Sequence, residues 1–126
     1  MKIVDANVVL RYLLGDSEDL SSKAKSIVEE QAVTIPIEVL CEVVYVLSGV
    51  YRIGRDEIGT ALTSFIENTS CELPNRNAAL KGIELFSQNN LDFVDCLLAA
   101  YKLVDGTEIY TFDKKLINLL EAIDHG

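Results

Sequence analysis

The sequence predicts a three-layer α/β/α sandwich around a central parallel sheet, and three observations carry that reading. Short apolar runs with β-branched residues recur along the chain: Lys2-Ile3-Val4, Ala32-Val33-Thr34-Ile35 and Glu108-Ile109-Tyr110-Thr111. They are too short for helices and suit strands buried on both faces. Between them lie segments of helical length whose apolar residues return every three or four positions. Strand-like and helix-like pieces alternate through most of the chain, which is the pattern of parallel crossover units. With short loops, the carboxyl ends of the strands and the starts of the helices fall on one sheet edge, where open α/β sheets bind ligands.

Taken in order, Lys2-Ile3-Val4 ends at Asp5-Ala6-Asn7 and the chain turns at once into the apolar segment Val8 to Leu14, closed by Gly15. Asp5 is either a functional acid at a strand end or a cap for the turn, and Asn7 is the better placed N-cap. Residues 18–30 are an amphipathic helix with Leu20, Ala24, Ile27 and Val28 on one stripe. Residues 32–35 are a second strand, and Pro36 opens the next helix.

That helix, about 36–48, is apolar nearly all round, the mark of a buried helix, and its only charges are Glu38 and Glu42. Glu38 lies in the first turn, where the helix dipole favours an acid. Glu42 sits among Val, Cys and Tyr, and an acid buried there needs a partner, a raised pKa or a metal. A turn at 49–54 leads to a helix over 56–67. Ser70-Cys71-Glu72-Leu73 is a further candidate strand, 76–88 a helix, and Asn89-Asn90 a break. Asp92 then stands as N-cap of a helix through Leu103, which makes Asp95 its N3 residue, and helix stability alone could explain both. After the strand at 108–111, Phe112-Asp113 places a second acid at a strand end, where it could also cap the short helix 114–120.

At 126 residues the chain is read as one domain, 1–126, large enough for a real core. No apolar run spans a bilayer, and the N-terminus lacks a signal-peptide pattern, so a cytoplasmic location is expected. Cys41, Cys71 and Cys96 form no CxxC pair, which argues against a disulfide framework or a zinc cluster. The single histidine, His125, is penultimate, which removes most His-dependent chemistry. A net charge of −9 argues against broad electrostatic binding to nucleic acid. It does not exclude a nucleic-acid enzyme whose carboxylates hold metal ions, and it suits a basic protein partner.

Four acids stand out by position: Asp5 and Asp113 after strands, Glu42 in the apolar helix, and Asp95 at a helix start. Crowded carboxylates without cations repel one another unless they are protonated or neutralised. Hard divalent cations resolve that conflict, since Mg²⁺ and Mn²⁺ prefer oxygen ligands and bind phosphate together with carboxylates. The reaction this suggests is metal-assisted phosphodiester hydrolysis with water as nucleophile.

The motifs carry a resemblance. Asp5-Ala6-Asn7-Val8-Val9-Leu10-Arg11-Tyr12-Leu13-Leu14 resembles the opening motif of PIN-domain ribonucleases, in particular VapC-type toxins. Ile35-Pro36 through Glu42-Val43-Val44-Tyr45-Val46-Leu47 resembles the second motif. Asp92-Phe93-Val94-Asp95 with Leu98-Ala99-Ala100, and Thr111-Phe112-Asp113-Lys114-Lys115-Leu116, resemble the third and fourth. The matches fall in the family's order across nearly the whole chain.

The resemblance implies a parallel sheet of strand order 3-2-1-4-5 with an acidic pocket at its edge. Asp5, Glu42, Asp95 and Asp113 would be the catalytic, metal-binding acids, Asp5 and Asp95 the most central. Asn7 and Thr111 would orient a carboxylate, a water or the scissile phosphate, and Asp92 would be an accessory acid. It further implies a Mg²⁺- or Mn²⁺-dependent endoribonuclease acting on tRNA or rRNA, a cognate antitoxin that blocks the pocket, and a homodimer. Arg11, Lys114-Lys115, Arg52 and Arg55 are the cations available for RNA, but each reads better as an ordinary surface cation and none belongs to the catalytic set.

Three rival readings remain. A phosphatase-like aspartyl nucleophile would want a second Asp near Asp5, where Asn7 stands, and a late buried lysine. A receiver-type phosphoacceptor would want an Asp on a middle strand, and it has no use for Glu42. A catalytically silent domain, binding a protein or RNA and using its acids as caps, is the alternative in another class.

Overall fold

A computed structural model describes residues 1–126, and the chain is 69% helical. Seven helices follow one another: α1 (Ala6–Leu14), α2 (Glu18–Glu30), α3 (Ile37–Gly49), α4 (Arg55–Asn68), α5 (Arg76–Gln88), α6 (Phe93–Asp105) and α7 (Lys114–His125). They divide into two compact units, Met1–Pro74 with α1 to α4 and Asn75–Gly126 with α5 to α7.

The expected central parallel sheet is absent, and this corrects the α/β/α sandwich and its strand order 3-2-1-4-5. What remains in the first unit is a pair of isolated parallel bridges, Ile3 to Thr34 and Thr34 to Glu72. Four backbone hydrogen bonds tie them: Val4 N–H to Thr34 O at 3.3 Å, Thr34 N–H to Lys2 O at 2.6 Å, Ile35 N–H to Glu72 O and Glu72 N–H to Val33 O, both at 2.8 Å. The physical reason is length. α1 begins three residues after Ile3 and α3 three residues after Thr34, so each extended piece offers one bridging residue where a strand needs consecutive pairs. Ile3 is 60% exposed, against the expectation of a strand buried on both faces. In the second unit Glu108-Ile109-Tyr110-Thr111 forms neither strand nor bridge.

The helices follow their sequence signals closely. Gly15 closes α1 in the left-handed conformation at φ 59°, its N–H on Arg11 O at 3.1 Å, and Gly106 closes α6 at φ 69° with its N–H on Lys102 O at 3.0 Å. Only glycine adopts those angles without strain. α7 runs to His125, five residues past the expected end.

In the first unit α1 packs on α2 and α3, and α3 on α4. Val9, Leu10, Val28, Leu40, Val43, Val44, Leu47, Ile58 and Leu62 are all almost fully buried there. Arg11 pins the outside of this core: its guanidinium grips both oxygens of Asp16, at 2.8 and 2.9 Å, and donates to Tyr51 Oη at 2.9 Å. In the second unit α5 and α6 make the closest helix pair, with Gly82 against Leu97, and α7 packs on α6 through Leu116 and Leu120. No helix is long and apolar enough to cross a membrane.

Candidate active site

In the first unit, Asp5 is the N-cap of α1, and its Oδ1 accepts the Val8 N–H at 3.1 Å. Asn7, expected as the cap, instead lies inside the first turn, exposed. The reason is that the chain leaves extended geometry at Asp5 (φ −89°, ψ 178°), two residues earlier than the apolar periodicity suggests. One carboxylate oxygen suffices for the cap, so Asp5 Oδ2 stays open to another ligand.

Glu42 corrects another expectation: it is exposed. The buried faces of α3 carry Leu40, Val43, Val44 and Leu47, while Glu38, Glu42 and Tyr45 share an outward stripe at spacings of four and three. Tyr45 on that stripe is 74% exposed. The helix therefore has a solvent face despite its apolar composition. Cys41 beside it is half-buried, and burial, then the Glu38 charge, pushes its thiol pKa up, which disfavours the thiolate.

The second unit holds the remaining acids. Asp95 is half-buried in the first turn of α6. Burial, and then the charges of Asp113 and Asp92, push its carboxyl above the ordinary 3.8. Asp92 occupies the N-cap position of α6, but its side chain caps nothing and is exposed. Asp113 caps α7, its Oδ1 accepting the Leu116 N–H at 2.9 Å, which again leaves Oδ2 open. Thr111 Oγ1 accepts the Asp113 N–H at 3.0 Å and so positions that acid.

The two units thus present Asp5 with Glu42, and Asp92, Asp95 and Asp113. None of these acids forms an ion pair; the three ion pairs of the chain are Arg11–Asp16, Lys81–Glu84 and Lys102–Asp124. Within neither unit are three His, Cys, Asp or Glu side chains arranged to hold a metal ion. Capping is the competing use: Asp5 and Asp113 each turn one oxygen onto their own helix. In the second unit the donors nevertheless fit a hard divalent cation, because they are carboxylate oxygens and the charges of Asp113 and Asp92 bear on Asp95.

Sequence reasoning missed the role of Arg11, which is held by Asp16 and Tyr51 rather than offered to a ligand. The hydrogen bond it donates to Tyr51 Oη is the largest influence holding this guanidinium in its charged form. The signal was the acid five positions on, across the Gly15 turn. Lys114 and Lys115 are exposed and unpaired.

The family model described as PIN domain matches residues 2–121. The chain is also similar to a protein named VapC ribonuclease from Aquifex aeolicus (strain VF5), 26% identical over 102 residues, with 77% of this chain and 75% of that protein covered. No solved structure matches at a significant level. A match from residue 2 to residue 121 takes in both units and all the candidate site acids, Asp5, Glu42, Asp92, Asp95 and Asp113, and on that ground the chain belongs to the PIN-domain family.

Proposed function

We propose that this chain, as a single nuclease domain over residues 1–126, is a divalent-metal-dependent endoribonuclease and the toxin of a toxin–antitoxin pair. The observation that carries the reading is the PIN-domain match across residues 2–121, with acids at the four motif positions Asp5, Glu42, Asp95 and Asp113. Similarity to a VapC ribonuclease supports RNA as the substrate and an antitoxin as the partner. The uncompensated charge around Asp95 supports Mg²⁺ or Mn²⁺ as the cofactor.

Asp5, Glu42, Asp95 and Asp113 would hold the ion, with Asp92 as an accessory acid. When bound, the ion would lower the pKa of a coordinated water and stabilise charge on the phosphoryl oxygens. The protein's own part is positional. Asp5 and Asp113 stand at helix N-termini, where amide dipoles steady a carboxylate. Thr111 fixes Asp113 through its backbone amide, and Asn7, exposed two residues after Asp5, would orient water or phosphate. An acidic surface on a chain of net charge −9 would receive an antitoxin segment carrying Arg or Lys. A cytoplasmic homodimer acting on tRNA or rRNA completes the proposal.

The competing account is a silent PIN-like module that uses its acids only as caps. Isothermal titration with Mn²⁺ separates the two. Saturable binding by the wild type that is lost in Asp95→Asn supports the nuclease. Weak, unsaturable binding that is the same in both would leave the binding module as the better account.

A further inference from the structure

Residues 107–112 are the most unusual surface of the second unit. They form neither helix nor strand, and from Glu108 to Phe112 no backbone group joins a backbone–backbone hydrogen bond. Two aromatic rings stand open there, Tyr110 at 89% and Phe112 at 104% exposure. Large aromatic rings carry most of the apolar area a side chain can bury, so leaving two of them in water is costly unless something covers them.

The neighbourhood indicates what covers them. Directly after Asp113 come Lys114 and Lys115, both exposed and neither in an ion pair. Across residues 107–115 they balance Glu108 and Asp113, so this stretch is neutral on a chain of net charge −9. Tyr110 Oη donates to Glu108 Oε2 at 2.9 Å, which orients the ring and ties down the acid nearest to it. Open rings beside free ammonium groups are the two components of a single-strand nucleic-acid surface, where bases stack on aromatics and phosphates meet cations. The same stretch runs into Asp113, so a strand seated here leads directly to a candidate acid.

We propose that Tyr110 and Phe112 are a stacking platform for unpaired bases of the RNA substrate, with Lys114 and Lys115 neutralising the adjoining phosphates. This rests on the ribonuclease reading and deepens it: the substrate is engaged through a single-stranded segment, and these four residues position it. Duplex RNA, whose bases are already stacked and paired, has nothing to offer the rings.

The test is fluorescence anisotropy with a labelled single-stranded RNA oligonucleotide and a hairpin-free duplex of equal length, in EDTA so that cleavage cannot intervene. Tyr110→Ser and Phe112→Ser remove open side chains that the fold does not use, and far-UV circular dichroism confirms the helices. Each ring variant is expected to lose about tenfold in single-strand affinity, with duplex affinity unchanged. Lys114→Ala and Lys115→Ala are each expected to flatten the salt dependence by about 0.7 in log–log slope.

Wild-type affinity in the double ring variant would overturn the proposal. So would slow amide exchange across 108–112 in the free protein, or a dimer or peptide complex that covers the rings and is not displaced by RNA. Because binding is read without metal, a protein that binds through the rings but never cleaves would refute the nuclease reading alone. Intact cleavage with unchanged KM in the ring variants would refute the platform alone.

Discussion

Asp95→Asn is expected to stabilise the metal-free protein at neutral pH, although it removes a residue assigned to the site. In the folded state burial, then Asp113 and Asp92, disfavour the charged form of Asp95. A position in the first turn of α6 favours an acid by about 0.3–1 kcal/mol. The upward direction of the shift means that burial and repulsion outweigh this favourable contribution. Folded-state pKa above the unfolded value means that the native state binds the proton more tightly. The corresponding stability is fully present below 3.8 and is lost as pH rises through the folded pKa, leaving a penalty at neutral pH. Asparagine keeps the shape and removes the charge. Half-burial and solvent screening hold the gain to about 0.5 kcal/mol, or roughly 2 °C in melting temperature for a domain of this size.

The assay is thermal unfolding in EDTA at pH 7.5 and at pH 3.5. The variant should melt higher at pH 7.5 and level with the wild type at pH 3.5. Addition of Mn²⁺ should reverse the order, because the ion stabilises only the protein that binds it. A variant that melts lower in EDTA at pH 7.5 would show that the Asp95 carboxylate makes a net favourable contact, and the like-charge account of the second unit would fail.

Other perturbations separate caps from chemistry. Asp5→Ala should cost about 1 kcal/mol through loss of the Val8 N–H bond, whereas Asp5→Asn keeps an acceptor and should melt within about 0.5 kcal/mol of wild type; denaturant titration distinguishes them. Gly82→Ala would place a Cβ 2.8 Å from Leu97 Cδ2 and 3.4 Å from its Cα. Overpacking of about 1–3 kcal/mol should outweigh a helix-propensity gain of about 1 kcal/mol, so urea midpoints should fall. Arg11→Met should cost about 1–2 kcal/mol by releasing Asp16 and Tyr51, with no change in the salt dependence of RNA binding, since the guanidinium is occupied within the first unit.

Helix boundaries were legible in the sequence because their signals are local. Gly15 and Gly106 end α1 and α6 as their residue type requires, and the periodicity of 18–30 and 76–88 matches α2 and α5 residue for residue. The sheet was misread because strand propensity reports a residue's own preference, while a strand also needs a partner of matching length. Ile3 and Glu72 each find one bridge and Thr34 two, one on either side, and no neighbouring residue extends either pairing. Tyr110 has high strand propensity and no backbone pairing partner. Glu42 was misplaced because composition averages over a helix: α3 is apolar on most of its circumference, yet the stripe through Glu38, Glu42 and Tyr45 faces water. The acids were visible by position, Asp5 and Asp113 after extended runs and Asp95 in a first helical turn, although capping rules pointed to Asn7 where α1 uses Asp5. The electrostatic coupling of Asp95 to Asp92 and Asp113 depends on how α6 and α7 pack, which no local pattern encodes.

The central claim is tested most directly by incubating the purified protein, freed of any partner, with a mixed tRNA and rRNA pool in Mn²⁺, in Mg²⁺ and in EDTA, alongside Asp5→Asn and Asp95→Asn. The account predicts cleavage that requires the metal and disappears in both variants while their helical content is retained, with a discrete set of ends on sequencing. Cleavage that persists in EDTA or in the Asp95→Asn protein would contradict it, as would the absence of cleavage by a folded wild type that also fails to bind Mn²⁺.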